Sequence, residues 1–503
     1  MSRPEQFSNR WGIILASLGM AIGAGNLWRF PRLAGQYGGT FIILWIFFLF
    51  IWSIPLLLAE FSIGKKFKTG VIGSYAQLAG KKYTWLGFFI TICTLGIAFY
   101  YSVVTSWALQ YLGFAVVNAL DPVFSEPTLA DKLIANPNHL DEYWDYVSNG
   151  NWLTIALYIL VTIVGVFMLS RGIKKGLERA NKVLIPSLFV LLIIITFIAL
   201  NMKNGLQGLE YMFAINWSHF GNSTIWIEAL SQSAWSTGAG WGLMMTISAY
   251  SRDNEDVTLN TFIGAFGNNT ASLMAAMAIL PAVFALAPSS EEAIAYLQTG
   301  NQALTFTVIP KLFANVPGGS VLSIIFFLAL FLAAFSSLLP MIELFTKNLI
   351  DMGISRKKSA IRVILFFIIF GLPSAYSLDY FSNQDWVWGI GLILTGLFIL
   401  FAVAKYGITK FKTELIDGDA DFKVPTSYFR ICVIANLIIG VFLIYWWMSQ
   451  GYSTNPWFDK DGLWNVFDVY ANASIVTQWG LVLLIGFLFN KYLYNKFTNQ
   501  EEL

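Results

Sequence analysis

The chain has 503 residues, 56% of them hydrophobic and 12% charged, with a mean hydropathy of +0.63. That is too apolar for an ordinary soluble enzyme, and a formal net charge of +2 makes no case for nucleic-acid binding. What is left is a protein that lives in a lipid bilayer.

Apolar runs long enough to cross a hydrocarbon core of ~30 Å fall at roughly 11–34, 40–62, 84–117, 152–170, 179–202 and 226–250. Six more fall at roughly 259–287, 319–350, 360–377, 386–408, 427–448 and 475–494. They predict an all-α integral membrane protein of twelve transmembrane helices, here numbered as spans 1 to 12. The polar start leads straight into a run far longer than a signal-peptide core, so no cleavable leader is expected. With the amino terminus inside and the chain alternating, the inner segments carry 25 of the 31 Lys and Arg. That bias places both termini on the cytoplasmic side of a multi-pass protein of the cell membrane.

Span 1 contains Gly19-Met-Ala-Ile-Gly-Ala-Gly-Asn-Leu-Trp-Arg-Phe-Pro31. A lipid-embedded helix satisfies its own backbone, so a Gly-rich break is tolerated only inside protein or around a cavity. An unwound turn at Gly23-Ala-Gly-Asn26 frees N–H groups that suit a carboxylate at the start of the next half-helix. It also frees carbonyls that suit a hard cation. Arg29, close behind, is costly in a membrane unless paired or watered. Span 2 carries Glu60, an intramembrane carboxylate and hence a functional candidate.

Cys93 in span 3 and Cys432 at span 11 do not suit an extracellular disulfide. The connection at 118–151 is acidic, and His139 and His219 stand alone, without metal-ligand spacing. Span 6 holds a second break, Ser236-Thr-Gly-Ala-Gly-Trp-Gly242. Paired interruptions at matching places in two halves point to a transporter's binding site. Spans 1–5 (10–202) and 6–10 (226–408) would form two repeats, with spans 11 and 12 (427–494) added, all in one transporter domain. Ser289-Ser-Glu-Glu has a capping signature and predicts a short helix. Span 8 carries Ser336, Ser337 and Glu343. No phosphate loop, nucleophile elbow or zinc motif is present, so an enzyme is not expected.

The run Gly-x-Gly-Asn-x-Trp-Arg-Phe-Pro is similar to the first-span signature of the neurotransmitter:sodium symporter family, bacterial amino-acid branch. The likeness extends through Gly38-Gly39, Glu60, Tyr100-Tyr101, the span 6 break, Tyr250, Asn268 and Ser336-Ser337. It covers about the first 390 residues well and the rest by topology alone. It implies a five-plus-five inverted repeat with unwound helices 1 and 6.

The resemblance also implies the site, residue by residue. One sodium would be held by the Ala21 carbonyl, Asn26, Ser236, Asn268 and the substrate carboxylate. A second would be held by the carbonyls of Gly19, Ile22 and Ala333 with the hydroxyls of Ser336 and Ser337. The substrate pocket would comprise Gly23, Ala24, Gly25, Ile97, Tyr101, Trp235, Ser236, Gly238, Trp241, Ser337 and Met341. Tyr101 would donate to the carboxylate and Trp235 would form the lid. Arg29 with Asp385 would make the outer gate. Arg3, Asp351 and Tyr250 would belong to the inner one. Gln232, Ser236, Asn268 and Ser272 agree with chloride-dependent members, while Trp45 replaces their Tyr, which leaves chloride open.

Monoamine-transporting relatives carry Asp where this chain has Gly23, so the substrate should bring its own carboxylate. The uncharged pocket walls favour a neutral, apolar amino acid, taken up with sodium by alternating access. Two alternatives stand beside this reading: a sodium-independent exchanger of the same fold, and a membrane amino-acid sensor that binds without transporting. Partners are then the small-molecule substrate and the lipid bilayer, for a monomer or homodimer, with no nucleic acid.

Overall fold

The computed structural model describes residues 5–418, 420–450 and 453–498; Arg3 lies outside the described residues. Among them nine helices are long and apolar enough to cross a membrane. A tenth span is bent by 62° where Asn472–Leu488 meets Asn490–Thr498. The two remaining spans of the expected twelve are the interrupted ones. Each is too short on either side of its break to count as one continuous apolar helix.

Span 1 begins as Arg10–Ala21, capped by the Asn9 side chain accepting from the Gly12 N–H at 3.0 Å. It breaks at Ile22 and Gly23, whose backbones are extended, and resumes over Ala24–Leu27. A connecting loop between spans 1 and 2 is expected near residue 35–39, but helix Arg29–Phe48 runs through that region with a single kink at Gly38. There φ is +58°, which favours glycine, and a Cβ would lie 2.6 Å from the Ala214 carbonyl oxygen. The next residue, Gly39, donates its N–H to that same carbonyl at 2.8 Å.

Span 6 runs Ser223–Thr237 and resumes as Leu243–Ser248. Between them Gly238, Gly240 and Gly242 all have φ between 70° and 93°, which is why only glycine at these places lets the helix open. Spans 3 (Thr84–Leu120) and 8 (Gly319–Asp351) lie against each other along their length, and span 1 packs on spans 5, 7 and 8. The interrupted helices therefore sit inside the bundle. Span 11 (Thr426–Ser449) is on the periphery and presents Ile438, Val441 and Tyr445 outward, as a lipid-facing helix should. The predicted cap forms: Ser289 accepts from the Glu292 N–H at the head of Ser290–Leu297. Cys93 and Cys432 are free and buried.

Candidate functional site

The break in span 1 leaves backbone groups that need partners in a dry environment. Some are met locally. The Asn26 side-chain oxygen accepts from the Gly23 N–H at 2.9 Å, and Tyr101 on span 3 accepts from the Ala24 N–H at 2.9 Å. Others converge on span 8. The Ser337 hydroxyl lies 3.0 Å from the carbonyl oxygens of both Gly19 and Ile22. The Ser336 hydroxyl lies 3.0 Å from the Ala333 carbonyl and 3.4 Å from that of Ile22. Two hydroxyl protons cannot serve four such contacts fully. The result is a cluster of oxygens with spare lone pairs, chemistry that suits a hard cation.

A second oxygen cluster forms where spans 1, 6 and 7 meet. The Asn26 amide donates to Asn268 Oδ1 at 2.8 Å and to Ser272 at 2.7 Å. Asn268 donates in turn to the Ser236 hydroxyl at 3.1 Å. The opposite amide end of Asn268 lies 2.8 Å from the Ser236 carbonyl oxygen and 3.1 Å from that of Ala21. Turned one way, that amide donates to both; turned the other, its oxygen joins theirs in a group of acceptors, chemistry that suits a cation.

The unwound turn of span 6 is also held from outside itself. Glu60 accepts from the Gly240 N–H at 2.6 Å and the Met245 N–H at 3.4 Å, and Thr94 donates to the Trp241 carbonyl at 2.6 Å. Glu60 thus supplies the acceptors that the broken helix lacks.

Between these clusters lies a cavity of about 520 Å³ lined by Gly23, Gly25, Tyr101, Trp235, Trp241 and Met341, with Ser236, Gly238 and Ser337 also on its wall. Trp235 and Trp241 meet edge to face at 5.2 Å. Ile97 and Ala24 are fully buried and do not line it. Met20, which sequence reasoning missed, does: its methyl lies 3.2 Å from where a Gly238 Cβ would stand. Its position between two backbone groups assigned to cation sites was the available signal. Gly23 has no room for a side chain, because a Cβ would lie 2.6 Å from the Tyr101 hydroxyl and 3.0 Å from that of Ser337.

Arg29 and Asp385 both line this cavity but do not pair. Arg29 instead bonds to Glu228 at 2.9 Å and Ser231 at 3.0 Å. A second network joins the residues that follow span 6 to spans 8 and 9. The Tyr250 hydroxyl donates to Glu343 at 2.6 Å, and Arg356 forks onto both Glu343 oxygens at 3.0 Å. Arg356 also pairs with Glu5 at 2.6 Å, while Phe7 donates its N–H to the Tyr250 carbonyl. Sequence reasoning counted Arg356 only as a topology marker. Asp351 pairs with Lys347 at 2.6 Å and accepts from the Gly70 N–H at 2.5 Å. Of the residues assigned to a chloride site, Gln232 lines the cavity, and Trp45 keeps a buried indole N–H without an acceptor.

Comparisons with known proteins show the family and the fold. A family model described as the sodium:neurotransmitter symporter family matches residues 4–124 and 138–498. An uncharacterized sodium-dependent transporter of Methanocaldococcus jannaschii is 32% identical over 447 residues, 86% of this chain and 88% of the relative. The uncharacterized sodium-dependent transporter YhdH of Bacillus subtilis is 28% identical over 76% of this chain and 80% of its own length. Among solved structures, MhsT in complex with L-phenylalanine superposes with a TM-score of 0.73 at 25% identity, covering 88% of this chain and 99% of MhsT.

Proposed function

This chain belongs to the sodium:neurotransmitter symporter family, and from that premise we propose that it takes up a neutral, apolar α-amino acid together with two sodium ions. It is a multi-pass membrane protein of secondary-transporter type and not an enzyme, with the inverted-repeat fold it shares with MhsT. The observation that supports the finer reading is the convergence of two oxygen clusters and the Tyr101 hydroxyl on a single cavity.

The substrate carboxylate takes the Tyr101 O–H and the N–H groups where span 1 resumes. One of its oxygens completes the first sodium site with Ala21, Asn26, Ser236 and Asn268. Ion and carboxylate each neutralise the other, so neither is well satisfied alone, and coupling follows. Gly19, Ile22, Ala333, Ser336 and Ser337 hold the second sodium. The side chain lies against Trp235, Gly238, Trp241, Met341 and Met20. Indole and thioether surfaces suit a large apolar or aromatic group, the class to which the phenylalanine bound by MhsT belongs.

Binding draws Trp235 down, and Arg29 meets Asp385 above it. Spans 1, 2, 6 and 7 then tilt, breaking the Tyr250–Glu343–Arg356 network and opening the cytoplasmic side. A potential of ~100 mV supplies ~2.3 kcal/mol per charge, and a tenfold sodium gradient ~1.4 kcal/mol. Two sodium ions therefore give about 7 kcal/mol, ample for concentrating a zwitterion. The buried Trp45 indole N–H has no hydrogen-bond partner, and chloride bound there would supply a fixed negative charge beside the first sodium. Both termini face the cytoplasm, in the cell membrane.

Binding of labelled phenylalanine and leucine to the detergent-solubilised protein tests the reading. Saturable binding in sodium that vanishes in choline is the expected result. Equal binding in both would remove the sodium sites from the account.

A further inference from the structure

Arg29 makes its hydrogen bonds to residues of span 6 and none to Asp385. Its Nη2 lies 2.9 Å from Glu228 Oε2 and 3.0 Å from Ser231 Oγ, and among the described residues it makes no other hydrogen bond or ion pair. Glu228, Ser231 and Trp235 are spaced i, i+3 and i+7, so one face of the Ser223–Thr237 helix carries both the arginine's partners and the lid. Asp385 is exposed to the cavity without an ion pair among the described residues. It is nonetheless beside the lid. A Cβ on Gly389 would stand 3.7 Å from Asp385 Oδ1 and 3.1 Å from Trp235 Cζ2.

We propose that Glu228 is a counterweight on the outer gate, holding Arg29 on the span 6 side until bound substrate tips it toward Asp385. The inference rests on reading the cavity as the substrate's outward entry. Arg29 and Glu228 stand on the two interrupted helices, which move as one body in that reading, whereas Asp385 stands on span 10. The Arg29–Glu228 pair therefore lies within one body, and an Arg29–Asp385 pair would bridge two. Exchanging one carboxylate for another conserves the number of ion pairs, which keeps the open and closed forms close in energy, as a gate requires. While Glu228 neutralises Arg29, the pull between Arg29 and Asp385 across the vestibule is weakened. Ser231 keeps the guanidinium oriented without adding charge.

Glu228→Gln separates the two roles, since glutamine still accepts from Nη2 but carries no charge. Cavity access is read without substrate, as the rate at which a charged thiol reagent modifies Ser382→Cys in sodium. Ser382 lines the vestibule, and the two native cysteines are buried. Glu228→Gln is expected to slow that rate about three- to fivefold, the scale of one partly exposed ion pair, while Glu228→Asp leaves it near the parent value. Adding Asp385→Asn should abolish the slowing, because the partner toward which Arg29 turns is gone. An unchanged rate in Glu228→Gln, or equal slowing with and without Asp385→Asn, overturns the proposal. Because neither uptake nor substrate binding enters the readout, a failure of the transport reading is seen separately, in the uptake assay.

Discussion

The hydroxyl of Tyr101 accepts the N–H of Ala24 at 2.9 Å, tying span 3 to the residue where span 1 resumes its helix. Accepting that bond leaves the phenolic proton to be donated, and it fixes the ring at the cavity wall. Tyr101→Phe should therefore cost twice, through a lost donor to the substrate carboxylate and through an unpaired buried N–H. A hydrogen bond to a charged group contributes about 1.5–3 kcal/mol, so substrate affinity should fall roughly ten- to 100-fold. Titration of labelled amino acid at saturating sodium measures it.

Ser336 and Ser337 bring only two protons to three backbone carbonyls, those of Gly19, Ile22 and Ala333. Replacing both by alanine removes two of the five oxygens assigned to the second sodium. The half-saturating sodium concentration should rise about tenfold or more, the equivalent of about 1.4 kcal/mol, and the Hill coefficient should fall toward 1. A Hill coefficient unchanged from the parent would show that this cluster holds no coupled ion.

Gly23 stands where a side chain meets Tyr101 and Ser337 together. Gly23→Ala should weaken substrate binding and sodium binding in parallel, because it displaces one donor to the carboxylate and one oxygen of the ion site. Loss of substrate binding with an unchanged sodium response would contradict the arrangement.

Arg356 joins Glu343, Tyr250 and Glu5. Its fork onto Glu343 buries that carboxylate almost completely. Arg356→Gln leaves the carboxylate uncompensated, and breaking such a pair costs about 3–5 kcal/mol. The network should open, raising thiol-reagent access to cysteines placed along helix Arg10–Ala21. Unaltered access would mean that the network is a passive tie.

The architecture was legible because apolar length is set by the bilayer itself. Both interruptions were legible because closely spaced glycines inside an apolar run weaken the helix where a cavity must form. The partner of Arg29 was not. Glu228 lies 199 residues away, and which of two carboxylates an arginine faces depends on the conformation adopted, as well as on composition. Arg356 was hidden among the basic residues counted only for the Lys/Arg bias of the connecting segments. Met20 was hidden by its neighbours, since its role depends on Gly238 leaving the space it fills. Gly38 kinks a helix rather than ending it because the Ala214 carbonyl, from a distant connection, takes the N–H of Gly39.

The most direct measurement is uptake of a labelled neutral amino-acid mixture into proteoliposomes, with inward sodium against equal potassium. The account predicts accumulation above the external concentration only with sodium, dominated by apolar members of the mixture. Equal entry in potassium would contradict sodium-coupled symport and favour exchange.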